Sequence, residues 1–486
     1  MSITGGLIMP IYSLGEILHP KSIAVAGAGM GSGGNFIMAL LDIGFKGKIY
    51  PMNPRYQEIQ GLKCYPSIAS IPEPVDYVIS SLPAGQVLEL IDDCAKNGVK
   101  CIHFYTARFS ETGRKDAIEL EKQVLQKAKA AGIRIIGPNC MGVYYPAAGL
   151  AFGTGQYKQP GKLGLISQSG AAVSDFSESA RRRNMFFSKA ISYGNAIDLN
   201  ECDYLEYLAR DLETEIIIMY VEGVRDGQRF FNVLRQATLK KPVIILKGGR
   251  GKSGTRATAS HTASLAGSME IWNSALKQAG AISASDVNEL IDIASAFYFL
   301  PVCYGKHVGI TGGAGGGSVM AADLAEEAGL EVIPLPDDIR QELKRAGSSV
   351  WDWISNPIDH SISSDYSGDG RLERLMIAHP DFDLFIMQMN TPRAFGWGKN
   401  PAPITVDSML HLIPLDALNG KPVMVAMTDR WGLAPDSLVI KNKDLLEKLE
   451  QRLYEKGIPA YPSITRAANA YVKMVDYYKR KRDIVS

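Results

Sequence analysis

Residues 23–41 read Ile23-Ala24-Val25-Ala26-Gly27-Ala28-Gly29-Met30-Gly31-Ser32-Gly33-Gly34-Asn35-Phe36-Ile37-Met38-Ala39-Leu40-Leu41. A short apolar run of strand type meets a glycine-rich turn, and the turn feeds an apolar stretch with helix spacing. That succession is the first half of a βαβ unit and predicts a parallel sheet with helices on its faces. Gly29, Gly31 and Gly34 satisfy the GxGxxG spacing. Glycines let the main chain lie against a diphosphate, and a helix start offers N–H groups and a partial positive charge to it.

Outward from this stretch the alternation recurs to the end of the chain. Strand-like runs fall at 23–26, 48–50, 77–80, 101–105 and 134–136. After a turn-rich segment at 153–161 they resume at 163–166, 189–192, 216–221 and 243–247, and after Pro301 at 307–311, 384–388 and 423–427. Helix-period segments separate them, as successive βαβ units require. Breaks near 145 and 302 predict three α/β domains: 1–145, 146–301 and 302–486. No repeat of fixed period links them.

The 486 residues, 46% apolar and 21% charged, suit a soluble globular chain of that many domains. Basic and acidic residues nearly cancel, 52 against 51, so no global field recruits nucleic acid or an anionic membrane. Local sites must do any anion binding. Cys64, Cys94, Cys101, Cys140, Cys202 and Cys303 are scattered without CxxC spacing, which predicts reduced thiols, no disulfides and no metal site. No cationic stretch with a long apolar run opens the chain, and runs such as 216–221 are too short to cross a bilayer, so a cytoplasmic protein is expected. Lys479-Arg480-Lys481-Arg482 reads as a solvated tail.

Four places carry chemistry. After the second strand the chain reads Tyr50-Pro51-Met52-Asn53-Pro54-Arg55, where an NAD fingerprint wants a carboxylate for the ribose hydroxyls. Arg55 suits an extra ribose phosphate, as in NADP or coenzyme A, or else is a solvent-facing arginine. Further on, Leu163-Gly164-Leu165-Ile166 feeds Ser167-Gln168-Ser169-Gly170-Ala171-Ala172, a second seat for an anion at a helix start; a plain serine N-cap is the alternative. Glu222 ends the run 216–221, at the edge where open parallel sheets place reactive groups, and either orients an imidazole or caps the next turn. Finally, His261 stands in a Gly/Ser/Thr/Ala-rich loop at 248–267 between a strand and a helix. Small neighbours let that backbone swing, and imidazole is mostly neutral and nucleophilic near pH 7. His261 is therefore suited to carry a transferable group; an idle surface histidine is the other reading.

Taken together, the motifs resemble those of the NDP-forming acyl-CoA synthetases, specifically the alpha subunit of the ADP-forming acetate–CoA ligase type, relatives of succinyl-CoA synthetase. The carriers are Gly31-Ser32 with Gly34 and Phe36, Tyr50 to Arg55, Gly61-Leu62-Lys63-Cys64-Tyr65-Pro66-Ser67, Ile136-Gly137-Pro138-Asn139-Cys140-Met141-Gly142, Ser167-Gln168-Ser169-Gly170, Ser192-Tyr193-Gly194-Asn195-Ala196-Ile197-Asp198 and Ser260-His261-Thr262. The resemblance spans nearly the whole chain. It implies an α/β fold with an N-terminal Rossmann-like CoA-binding domain followed by two flavodoxin-like parallel-sheet domains. It implies that Gly29, Gly31, Ser32, Gly33, Gly34, Asn53 and Arg55 hold coenzyme A, and that Ser167, Gln168, Ser169, Gly170 and Asn139 hold phosphate. His261 then is the phosphorylated histidine, supported by Glu222. Phosphate attacks an acyl-CoA thioester to give an acyl phosphate and free CoA, and His261 carries the phosphoryl group towards ADP; the reverse activates a carboxylic acid with ATP.

Two departures stand out. Ala263 replaces the family's glycine after Ser-His-Thr, and His103-Phe104-Tyr105-Thr106-Ala107-Arg108-Phe109-Ser110-Glu111-Thr112-Gly113 is more aromatic and basic than usual. Phe104 and Tyr105 either pack or shape the acyl or CoA pocket. In the third domain Ile310-Thr311-Gly312-Gly313-Ala314-Gly315-Gly316-Gly317-Ser318 and Asn356-Pro357-Ile358-Asp359 resemble the second flavodoxin-like domain, whose glycine turn either packs helix on sheet or seats another phosphate and for which an assembly role is expected; Trp351, Trp353 and Trp397 belong to its core or its interface. No long segment resembles an ATP-grasp nucleotide module. The expected partner is thus an ATP-grasp beta subunit in a hetero-oligomer, bearing ATP or ADP with Mg2+. An NADP-dependent oxidoreductase and a non-catalytic CoA- or acyl-CoA-binding protein are the alternative readings.

Overall fold

The computed structural model describes residues 12–29, 31–254, 268–313, 315–359, 370–389, 405–411, 413–417, 420–427 and 436–485. By its internal contacts the chain divides into two compact units, Met1–Glu178 with Phe186–Ser285, and Ser179–Met185 with Asp286–Ser486.

The first unit contains two sheets. Strands β1 (Ser22–Ala26), β2 (Lys48–Met52), β3 (Tyr77–Ser80), β4 (Cys101–Phe104) and β5 (Arg134–Ile136) are all parallel, in the order β2-β1-β3-β4-β5. Every residue of β1, β3 and β4 is buried, which is why these strands read as mostly apolar runs instead of alternating ones. The chain leaves β1 to one side for β2 and returns to the other side for β3. That reversal opens a crevice beyond the carboxyl end of β1, the usual ligand position of doubly wound sheets.

The second sheet comprises β6 (Gly142–Tyr144), β7 (Leu163–Ser167), β8 (Phe187–Ser192), β9 (Ile216–Val221), β10 (Val243–Lys247) and β11 (Ile282–Ala284), in the order β11-β10-β9-β7-β8-β6. Only β6 runs antiparallel, along the edge of β8. Here the reversal lies between β7 and β9, so the turns after Ser167 and Val221 emerge side by side.

The second unit holds β12 (Val308–Thr311), β13 (Leu384–Gln388), β14 (Val423–Ala426) and β15 (Ala460–Tyr461), parallel in that order. A parallel bridge from His307 to Glu331 lies at the root of β12. Phe385, Met387, Val425, Leu449, Leu453 and Tyr454 belong to its buried core. The helix Val287–Phe299 packs on Ile464–Val485 within this unit, which sets the boundary at Ser285. Its Asp292 is buried between two cations, Arg183 at 2.8 Å and Arg466.

All twelve strands expected from sequence are present, within two residues at each end. β6, β11, β15 and a small hairpin, Glu58–Ile59 with Leu62–Lys63, were not anticipated. Each is two or three residues long, too short for a burial period to show. Among the described residues no helix is long and apolar enough to cross a membrane, and all six cysteines are buried as free thiols.

Candidate functional site

The glycine loop lies at the first reversal point. The helix Ser32–Ile43 starts so close to the end of β1 that a Cβ on Gly34 would stand 2.0 Å from the carbonyl oxygen of Gly29, and one on Gly33 would stand 2.4 Å from that of Gly27. These two glycines are required for helix-on-strand closure. Gly31 is different: nothing lies within 4 Å of a Cβ there, and at Gly29 the nearest atom is 3.7 Å away. Of Ser32 only the backbone is described. Asn53 spends its side chain on the protein, with Nδ2 donating to the Ala28 carbonyl at 2.5 Å and Oδ1 accepting from the Arg55 N–H at 2.9 Å. It braces the loop and shapes the turn that presents Arg55 to solvent.

At the second reversal point the turns after β7 and β9 are joined. The Gln168 N–H donates to the Tyr220 carbonyl at 3.0 Å, and Gln168 Oε1 accepts from the N–H groups of Glu222, at 2.7 Å, and Gly223, at 3.1 Å. Ser167 is fully buried, its hydroxyl donating to the Ser169 carbonyl at 2.7 Å. Ser169 caps the helix Gly170–Arg182, accepting from the Ala172 N–H at 3.4 Å. The side chains of Ser167 and Gln168 therefore build the turn, and the groups it presents outward are the helix-start amides at Gly170 and Ala171.

The Glu222 carboxylate accepts a hydrogen bond from the Tyr220 hydroxyl, whose pKa is pushed up to about 12 by burial and by that carboxylate. Lys247, at the end of β10, donates to the carbonyls of Glu222 at 2.6 Å and Gly248 at 2.5 Å. Burial lowers its pKa. Gly248 meets the Tyr220 hydroxyl so closely that a Cβ would stand 2.6 Å from it. Thus Gly248, at the root of the segment that leads to His261, is fastened to the Glu222 turn, and residues 252–254 are helical where the sequence predicted loop. His261 itself lies outside the described residues, as does Ala263.

Asn139 follows a cis Gly137-Pro138 bond and takes a left-handed conformation, φ 59°. Its N–H donates to the Thr106 carbonyl at 2.9 Å, and its Nδ2 lies 3.4 Å from Asn195 Oδ1. Nearby, His103 is buried with Nε2 3.1 Å from the Cys140 carbonyl, and burial pushes its pKa down to about 4. Phe104 is fully buried in the core of the first sheet, so it packs; Tyr105 is half-buried, edge-on to Phe36 at 5.3 Å.

In the second unit, Gly312 lies against the Gln388 main chain, where a Cβ would stand 1.9 Å from the carbonyl oxygen. Asn356 accepts from the Ile310 N–H and donates to the carbonyls of Val308 and Ile333, tying strand to loop. Trp351 is half-buried against the core and Trp353 is exposed; Ala314 and Trp397 lie outside the described residues. Among the described residues no three His, Cys, Asp or Glu side chains are grouped to hold a metal ion.

Tyr220, Lys247 and Asn195 organise these turns, and their roles were not read from sequence. Lys247 had one signal, a lysine closing an apolar strand next to a glycine; Tyr220 had none.

Residues 21–146 match the model of a CoA binding domain, and residues 160–297 that of the succinyl-CoA ligase like flavodoxin domain. The chain is 35% identical to the ADP-forming acetate–CoA ligase II subunit alpha of Pyrococcus furiosus, over 96% of this chain and 98% of that one. It is 36% identical to the ADP-forming acetate–CoA ligase I of Archaeoglobus fulgidus over 78% of this chain, but spans only 55% of that longer protein. The dinucleotide-forming acetyl-coenzyme A synthetase 1 of Candidatus Korarchaeum cryptofilum, solved in complex with phosphate and ADP, superposes with a TM-score of 0.80 at 32% identity, covering 97% of this chain and 98% of that one. With its two reversal-point turns and full-length similarity to an alpha subunit, the chain belongs to the ADP-forming acyl-CoA synthetases, a family of acid–thiol ligases.

Proposed function

We propose that the chain is the alpha subunit of an ADP-forming acyl-CoA synthetase, interconverting a carboxylic acid, CoA and ATP with acyl-CoA, ADP and phosphate. The observation that carries this reading is the double hydrogen bond from Glu222 and Gly223 to Gln168, which holds a carboxylate beside a helix-start anion seat. CoA is held on the first sheet. The open space at Gly29 and Gly31 suits its diphosphate, and Arg55, whose guanidinium has no protein partner among the described residues, suits its ribose phosphate. Asn53 acts by bracing that loop.

Phosphate attacks the thioester carbonyl, the C–S bond breaks, and CoA leaves as the thiol, giving an acyl phosphate. A neutral ring nitrogen of His261 then takes the phosphoryl group and releases the acid. Glu222 accepts the N–H of the other ring nitrogen, fixing the tautomer and stabilising the cationic ring. The amides of Gly170 and Ala171 meet the phosphoryl oxygens, and Asn139 closes the site from the first sheet. His261 finally delivers the group to ADP, held with Mg2+ on an ATP-grasp beta subunit, in a cytoplasmic hetero-oligomer. Three domains, 1–145, 146–301 and 302–486, divide the work, a reading supported by the three main sheets, though β6 joins the second sheet and the helix Val287–Phe299 packs in the second unit.

The test combines the chain with a candidate beta subunit and ATP labelled at the γ-phosphate. Acid-labile, base-stable label on this chain, abolished by His261→Asn, is expected. Absence of label, together with no thioester from any acid tried with CoA, overturns the proposal.

A further inference from the structure

Asn195 is 4% exposed and forms hydrogen bonds with four separate segments of the first unit. Its N–H donates to the Pro138 carbonyl at 3.0 Å, next to Asn139, and its Oδ1 faces Asn139 Nδ2 at 3.4 Å. Its Nδ2 donates to two carboxylates, Glu111 at 2.7 Å and Glu121 at 3.0 Å. Its carbonyl accepts from Arg225 Nη2 at 2.8 Å, three residues beyond Glu222. Both carboxylates are also committed. Glu111 accepts from the N–H groups of Arg108 and Phe109, and Glu121 from the N–H and hydroxyl of Ser110. One amide thus joins the loops at the carboxyl edge of the first sheet to the turns at the carboxyl edge of the second.

We infer that Asn195 is a positioning residue for acyl transfer, which sets the register of the Asn139 loop against the Glu222 and Gly170 turns. The inference rests on the reading that CoA is held on the first sheet and phosphate on the second. Acyl transfer needs both at once, and a shift of about 1 Å between them costs rate steeply. Loading of His261 from ATP takes place on the partner and does not use this register. The two half-reactions therefore separate the role.

The amide is needed because it donates to carboxylates on one side and accepts from an amide on the other. Asn195→Asp replaces the donor with a third carboxylate. Adding Glu111→Gln restores one of the two donor–acceptor pairs with its polarity reversed, since the new glutamine amide donates to the new aspartate, while Glu121 still faces that aspartate.

The experiment uses the complex with the beta subunit and follows label onto the chain from ATP, then its discharge by acid plus CoA. For Asn195→Asp, loading within about twofold of wild type and discharge slowed about tenfold or more are expected, with Asn195→Asp/Glu111→Gln recovering part of the discharge rate. Should Asn195→Asp fail to fold, Asn195→Ser, which is uncharged but too short to reach Glu111 or Asn139, is read in the same way. Equal slowing of both half-reactions, or discharge unchanged, overturns the positioning role alone. A wild-type chain that takes no label overturns the underlying function, and the inference with it.

Discussion

Gln168 Oε1 accepts the Glu222 N–H at 2.7 Å, so the turn that starts the helix Gly170–Arg182 and the turn that carries the carboxylate are one hydrogen-bonded structure. The same oxygen takes the Gly223 N–H. Gln168→Leu should leave both donors without an acceptor and destabilise the unit by about 1–3 kcal/mol. Gln168→Glu keeps the acceptor and should recover the melting temperature, yet its charge beside Glu222 and the proposed phosphate seat should still slow discharge of the label by acid plus CoA about tenfold. Melting curves and label discharge check both halves; a Gln168→Glu enzyme with an undiminished discharge rate would contradict the geometry.

Lys247 fastens the start of the segment that leads to His261 by donating to the Glu222 and Gly248 carbonyls. Lys247→Met should strand both acceptors and let the loop root drift. Turnover should fall about tenfold or more while KM for CoA, whose site is proposed on the first sheet, stays within about twofold. Steady-state kinetics with CoA as the varied substrate decide it, and a rise in KM for CoA with turnover intact would refute it.

His103 links acidity to stability. Its pKa is pushed from the ordinary 6.5 down to about 4 by burial, so the unfolded chain takes up the proton first as pH falls. The contribution is fully present above about pH 6.5, is lost between 6.5 and 4, and is flat below that, amounting to about 3 kcal/mol at most. Denaturant titrations of wild type and His103→Phe across that window should differ in slope. Parallel curves would show that the ring does not titrate as its burial demands.

Two glycines of one loop should behave oppositely. Gly34→Ala drives a methyl group into the Gly29 carbonyl and should disrupt the first sheet's closure, lowering stability by several kcal/mol. Gly31→Ala meets nothing within 4 Å and should leave the melting temperature unchanged while weakening CoA binding, because the methyl occupies space proposed for the diphosphate. Thermal melts and CoA titrations of the two variants test this; CoA bound by Gly31→Ala as tightly as by wild type would remove the loop from the proposed site.

Much of the architecture was legible because parallel strands covered on both faces are continuous apolar runs, and their spacing shows the intervening helices. The glycine loop and the Ser167–Gly170 turn were legible too, since both lie where a strand becomes a helix. The oxidoreductase alternative followed from the same loop, which two cofactor classes share at the level of local spacing; family membership removes it. Three-residue strands such as β6 carried no period to read.

The sequence by itself determined the α/β class, the order of the strands along the chain, and the residue types available to hold anions. Those properties are local: a strand's apolar run, a turn's glycines and a helix start are each written within about ten consecutive residues. Only the tertiary structure decided that Ser167 and Gln168 face inward to build their turn, that Lys247 clamps Glu222 to the loop root, and that Asn195 joins two sheets. The Gln168, Lys247 and Asn195 contacts reach across 25 to 84 positions, and hydrogen-bond partners over such distances are set by sheet order and by the burial that leaves each polar group few partners within reach.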